Sequence, residues 1–258
     1  GCRLARARTV VVPHADLDAI DTALDCVTTD RALVLTEGVY SMGGDVAPVG
    51  ELVEIAHRHG ALVVVDDAHG IGTVGPTGRG ATEELPASQR PDVLLGTASK
   101  ALGVEGGFAC VDETLATLMR NCARGYVFSS APSPVVAAGV AAAVEYLRTD
   151  TRRVCSLQAN VAQARLLLAE ADLIPPSAAH DRGPIIRIPV GPESRAVAAQ
   201  EELARRGLMV GAIRYPAVAR GDAILRICLT ARHTDEHIRI LVTSLREVLD
   251  GALSDAPR

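Results

Sequence analysis

The sequence predicts an α/β fold, a mostly parallel sheet with flanking helices on both faces, followed by a small C-terminal α+β domain. Three observations predict it. Runs of β-branched residues alternate with amphipathic stretches across the first half of the chain, which is the pattern of parallel βαβ units. Three successive strand-like runs, ALVLTE (Ala32 to Glu37), VVVDDAH (Val63 to His69) and DVLLGTASK (Asp92 to Lys100), give way to polar residues at their carboxyl ends. Composition then shifts at LIPPSAAHDRGP (Leu173 to Pro184), which reads as a boundary between a large domain, residues 1–172, and a small one, residues 173–258.

In chain order, TVVVP (Thr9 to Pro13) reads as a short strand. In DLDAIDTALDCV (Asp16 to Val27), apolar residues at 17, 20, 24 and 27 fall on one helical face, with Asp16 in the first turn, where a carboxylate favours the dipole. The first of the three polar-ended strands runs into GVYSMGGD, a glycine-rich loop that contains Ser41. PVGELVEIAHRHG (Pro48 to Gly60) opens on proline and stops at glycine, the usual asymmetry of a helix. After the VVVDDAH strand come a glycine-rich loop, Gly70 to Gly80, the DVLLGTASK strand, another strand at GGFACVD (Gly106 to Asp112) and a helix around 113–124. Residues 133–172 read as almost wholly helical, with an alanine-rich packing helix at 134–147. Beyond the boundary loop the pattern predicts a strand (185–190), a helix (194–206), two strands (208–213 and 224–230) and a last helix (235–253).

Composition excludes some partners. A net charge of −5, with the arginines dispersed among 31 acids, leaves no basic excess to neutralise phosphates, which argues against nucleic acid or an anionic membrane. No apolar run reaches the ~20 residues that span a bilayer; Val136 to Val144 is the nearest. The six cysteines contain no CxxC pair and read as reduced thiols of a cytoplasmic protein. Aromatics are only 2%, too few for base-stacking platforms. His57 and His59 project on different sides of a helix end, where cations are favoured, rather than as a metal pair. His14, His180, His233 and His237 have no ligand-like spacing.

Chemistry is expected where the strands stop, because ligands of such sheets bind outside the carboxyl ends of the strands. Lys100 is the only lysine, against 25 arginines. A guanidinium with a pKa above ~12 cannot act as an amine nucleophile, whereas an ammonium loses its proton when desolvated. Lys100 is therefore a candidate for imine chemistry, set against the plain reading of a surface lysine that survived by chance. Asp66 and His69, three apart past a strand end, can hold two edges of one aromatic cofactor. Pyridoxal phosphate (PLP) needs those parts: an acid for its ring nitrogen, a donor for its phenolic oxygen and a lysine for its aldehyde. Ser41, Thr97 and Ser99 can supply hydroxyls. GIGTVG (Gly70 to Gly75) fits the dinucleotide fingerprint and makes a nicotinamide enzyme the rival. Yet a Rossmann turn opens directly into a helix, and here Pro76, Gly78 and Gly80 follow.

The stretch EGVYSMGGDVAPVGELVEIAHRHGALVVVDDAHGIGTVGPTGRG, with GTASKALGVEGGFAC and RGYVFSSAPSP, resembles the α-oxoamine synthases, PLP enzymes of fold type I, and the resemblance covers essentially the whole chain. It implies condensation of an amino acid with an acyl thioester with loss of CO2. Within the family it points to the branch that joins L-alanine to a pimeloyl thioester, carried on coenzyme A or a carrier protein, in biotin synthesis. Branches that take glycine or serine are the alternative.

The resemblance implies that Lys100 carries the cofactor and moves the α-proton, that Asp66 pairs with the pyridinium and that His69 bonds the phenolic oxygen. It implies cofactor contacts for Ser41 and Thr97, and for Ser130 a phosphate contact made to the neighbouring subunit of a homodimer. Arg226 matches the arginine that grips the substrate carboxylate; taken alone it reads equally as a structural arginine on a strand. Arg214 stands where the oxononanoate-forming branch tends to have arginine and the aminolevulinate and ketobutyrate branches do not. By the same resemblance, Ala217 stands where relatives of that branch have threonine, which removes a possible substrate contact. Arg79 and Glu37 flank the site and read as structural. Family members carry a further segment ahead of Gly1, more than half a typical domain, which holds a cofactor-stacking histidine and a glycine-aromatic phosphate site. An inactive homologue that serves only as a dimer partner is therefore the non-enzymatic alternative.

Overall fold

The computed structural model describes residues 1–28 and 31–254. Helix α1 (Leu17–Asp25) is capped by Asp16, whose side chain accepts the Ala19 N–H at 2.9 Å. Strand β1 (Leu33–Glu37) leads through the Ser41 loop to α2 (Val49–Arg58), which ends ahead of Gly60 at φ +67°, a conformation that needs glycine. Next come β2 (Leu62–Asp66), the long glycine loop, β3 (Val93–Thr97), β4 (Gly107–Val111), and helices α3 (Glu113–Cys122), α4 (Arg124–Val127) and α5 (Pro134–Thr149). Then follow α6 (Arg152–Glu170), β5 (Ile185–Gly191), α7 (Glu193–Arg205), β6 (Gly211–Ile213), β7 (Ala223–Cys228) and α8 (Asp235–Ser254).

Two sheets result. The first has the order β1-β2-β3-β4, with β1, β2 and β3 parallel and β4 antiparallel to β3. Its register pairs Glu37 with Asp66 and Asp66 with Leu95, so the strand ends lie along one edge. The second is antiparallel, in the order β5-β7-β6. Helices α1 and α2 press Ile20, Leu52, Val53 and Ala56 onto Val63 and Val65 of β2. Around the second sheet, α6, α7 and α8 bury Leu168, Leu203 and Leu245 against Ile186, Ile188 and Leu225.

Several expectations need correction. Residues 9–13 form no strand, and Val10 and Val11 are exposed. β-branched composition makes a strand only where a neighbour completes the hydrogen-bond ladder, and here none of the described residues does so. The expected strand at 208–213 shrinks to 211–213, with Met209 fully exposed. The first sheet is not covered on both faces: because successive side chains alternate, Val63 and Val65 face α1 and α2, while Leu33 (62% exposed), Leu35 and Leu62 stand uncovered on the other face among the described residues. Helices α3, α4 and α5 bury no residue at all. Leu157, Val161, Ala164 and Leu168 of α6 pack in one core with the second sheet.

One buried side chain binds the two sheets together. Arg165 of α6, 2% exposed, donates from Nη2 to the carbonyls of Gly183 (3.1 Å), Ile185 (2.8 Å) and Gly44 (3.4 Å), and from Nη1 to Ala178 O (3.1 Å). Gly44 belongs to the Ser41 loop and Ile185 to β5, so this guanidinium sets where the loop after β1 meets the second sheet.

Candidate active site

Strand β2 ends at Asp66, and the chain turns at once, with the N–H groups of Gly70 and Ile71 both donating to Asp67 O at 3.1 Å. That turn places His69 half-buried on the side of the β3 end. Beyond β3 a second tight loop, in which Val104 N–H donates to Ala98 O (2.8 Å) and Gly103 N–H to Lys100 O (3.0 Å), holds Lys100 in the crevice. The two side chains meet, with Lys100 Nζ 3.0 Å from His69 Nε2. Both line a cleft of about 230 Å³ together with Arg226 and Cys228 of β7 and Leu229 just past it.

The charges converge on the imidazole. Burial, then the positive charges of Lys100 and Arg226, hold His69 below its ordinary range, against the opposing pull of Glu37 and Asp66. His69 is therefore neutral at neutral pH, a state in which one ring nitrogen donates and the other accepts. Asp66 is exposed at the strand end, where Oδ1 accepts the Ala68 N–H at 3.1 Å and the carboxylate remains open to a cationic ring.

Arg226 crosses from the second sheet to the first. Its Nε donates to Ser41 O at 2.8 Å and its Nη1 lies 3.0 Å from Cys228 Sγ, while Nη2 has no partner among the described residues. Ser41 is held in turn by Glu37, which accepts its N–H (2.5 Å) and its hydroxyl (3.0 Å). Thr97 shares a hydrogen bond with Ser99 (2.8 Å) and donates to Gly106 O (3.0 Å), so that it braces the loop of Lys100.

Of the residues singled out in the sequence, Lys100, His69 and Arg226 thus line one cleft, and Asp66, Ser41 and Thr97 stand beside it through the contacts described. Ser130 and Arg214 do not line it, and both are exposed in this chain. Sequence reasoning gave Glu37 only a structural part and passed over Cys228 as a cleft residue. Their signals were present: Glu37 is the last residue of a strand in register with Asp66, and Cys228 lies two residues after Arg226, on the same face of β7. GIGTVG opens no helix; it lies in a loop that runs to the 3₁₀ turn at Ala87–Gln89. His57 and His59 bond Asp92 (3.1 Å) and Asp21 (2.6 Å) respectively.

The chain is similar in sequence and in fold to known proteins. The chain is 99% identical over all 258 residues to a biotin biosynthesis bifunctional protein BioWF of Cutibacterium acnes, and covers 39% of it. It is 41% identical over 252 residues to a putative 8-amino-7-oxononanoate synthase of Desulfovibrio desulfuricans, 97% of this chain and 65% of that protein. The chain therefore spans about two thirds or less of the length of these curated relatives. Among solved structures, serine palmitoyltransferase of Sphingomonas wittichii superposes with a TM-score of 0.89 at 30% identity, over 98% of this chain and 63% of that one. An SPT structure with its PLP internal aldimine gives 0.88 at 29% identity, over 97% and 63%. An 8-amino-7-oxononanoate synthase of Francisella tularensis shares the fold, with a TM-score of 0.82 at 24% identity, over 97% and 71%. The family profile described as aminotransferase class I and II matches residues 1–245, and the chain belongs to that family.

Proposed function

We propose that this chain carries the PLP-binding and carboxylate-gripping part of an acyltransferase that joins an amino acid, L-alanine, to a pimeloyl thioester with loss of CO2, in biotin synthesis. The observation that carries the reading is the sole lysine standing 3.0 Å from a neutral imidazole, with an arginine lining the same small cleft. The two curated relatives described above bear names from this pathway. Bound PLP would supply an electron sink for the pair released at the amino acid's Cα.

The chain's own residues do the rest. Asp66 holds a proton on the ring nitrogen by its charge. His69, kept neutral by burial and by two cations, donates a hydrogen bond without adding a charge of its own. Lys100, once its nitrogen is free, takes up and returns a proton at Cα. Arg226 presents a planar donor set to the amino acid's carboxylate. Arg214 is proposed to contact substrate, Ser41 and Thr97 the cofactor, and Ser130 the phosphate held by a second copy. The uncovered apolar sheet face and the unburied helices α3 to α5 support assembly as a homodimer. Six free thiols support a reducing, cytoplasmic setting, and among the described residues no helix is long and apolar enough to cross a membrane. A division of the chain ahead of α6, with the C-terminal unit built on the second sheet, fits the packing.

Adding PLP to the chain, extended by the flanking sequence of its 99% identical relative, tests the reading. A band near the visible edge that is lost in Lys100→Ala, with CO2 released only from L-alanine and a pimeloyl thioester, is expected. No band in the folded protein overturns the PLP reading and leaves the inactive dimer partner. Release from glycine or serine instead moves the protein to another branch.

A further inference from the structure

Next to Asp66 stands a second carboxyl that the proposed chemistry does not use. Asp67 is completely buried. Its Oδ2 accepts the Ala81 N–H at 2.8 Å, and its Oδ1 has no partner among the described residues. Three segments meet around it, and each brings a glycine against the carboxyl. A Cβ at Gly38 or Gly70 would fall 2.2 or 2.0 Å from Oδ1, and one at Gly80 1.9 Å from Oδ2. The seat is therefore shaped to this side chain, and it joins the Ser41 loop, the His69 turn and the glycine loop.

The seat offers little to a charge. Gly38, Gly70, Gly80 and Ala81 bring no ionisable group, and among the described residues the one charge acting on Asp67 is that of Asp66, which repels it. Burial and that repulsion, against the N–H groups of Ala81 and Gly70, push the acid up to about 7. A buried carboxylate with one oxygen unpaired and no cation beside it is costly, whereas the neutral acid can occupy the same space with far less penalty.

We propose that Asp67 is a positioning residue that works as the uncharged acid, fastening three segments so that Asp66 and His69 stand fixed on either side of one turn, with Asp66 the sole anion of that pair. Ionisation of Asp67 sets two carboxylates side by side and drives water toward the seat, which loosens the turn that holds His69 against Lys100. The ring-nitrogen and phenolic-oxygen contacts assigned to Asp66 and His69 rest on the function proposed above; the protonation of Asp67 does not.

The sign follows from linkage. Between the ordinary carboxylate range and about pH 7 the folded chain keeps a proton that the unfolded chain has lost, so Asp67 lowers stability as pH rises through that window and adds no further loss above it. Urea unfolding of wild type and Asp67→Asn from pH 4 to 8 is the test. The folding equilibrium should shift in favour of the variant by up to about tenfold per pH unit, and the difference should level off near 7. Parallel curves overturn the proposal. If the asparagine variant does not fold, Asp67→Ser, which keeps an acceptor for Ala81 N–H, carries the same comparison.

The positioning role has its own readout. In the PLP-loaded protein, the band of the lysine-bound cofactor should show an inflection near pH 7 that Asp67→Asn removes; an inflection unchanged in the variant overturns the role. Absence of the band in both proteins counts against the proposed function instead, and the unfolding curves then decide on Asp67 alone.

Discussion

The two sheets were built by the same local rules, yet they end in opposite conditions. In the C-terminal sheet, Ile186, Ile188 and Leu225 are covered by three helices and shielded from water. In the first sheet, among the described residues, only the face toward α1 and α2 is covered; Leu33, Leu35 and Leu62 face outward, and residues 107–149 supply three helices without one buried side chain among them. Alternation decides which residues share a face. It does not decide whether anything lies on that face. The candidate site sits where the unequal halves touch, with Lys100 and His69 from the first sheet and Arg226 from the second.

The comparison can be broken most forcefully at the link between the halves. Arg165→Leu removes the guanidinium donor shared by the carbonyls of Gly44, Gly183 and Ile185, so a loss of about 3–5 kcal/mol is expected in denaturant unfolding. A loss below about 1 kcal/mol would mean that the sheets are joined by something else. Within the covered sheet, Leu225→Ala opens a cavity between helices and strands and should cost about 2–5 kcal/mol. At the rim of the first core, Asp16→Ala deletes the cap of α1 and should cost about 1 kcal/mol, visible as a modest drop in the urea midpoint. The smallest effect is expected on the bare face, where Leu35→Ala should stay within about 0.5 kcal/mol in the isolated chain. If Leu35→Ala costs as much as Leu225→Ala, the bare face is covered in solution and the contrast between the sheets disappears.

Much of the site could be read in advance because parallel strands share a carboxyl edge. Once Leu62–Asp66 and Val93–Thr97 were parallel neighbours, the residues just past their ends had to approach one another, which is how His69 reaches Lys100. Arg226 could not be placed by such reasoning. It lies 185 residues beyond Ser41, in another sheet, and it meets the Ser41 loop where the buried Arg165 guanidinium bonds both that loop and β5. TVVVP failed as a strand for the complementary reason: propensity was present, a ladder partner was not.

Asp66 and Asp67 mark the boundary between the two kinds of information. The residues alone determined the elements, their order, the caps, the polar strand ends and the rarity of an amine, because each depends on neighbours along the chain. Only the tertiary structure decided which of two adjacent carboxyls is open to a ligand and which is sealed among three glycines, since successive side chains leave the backbone in opposite directions and their surroundings come from segments far away in sequence. Burial, and with it the protonation of an acid, belongs to the assembled fold.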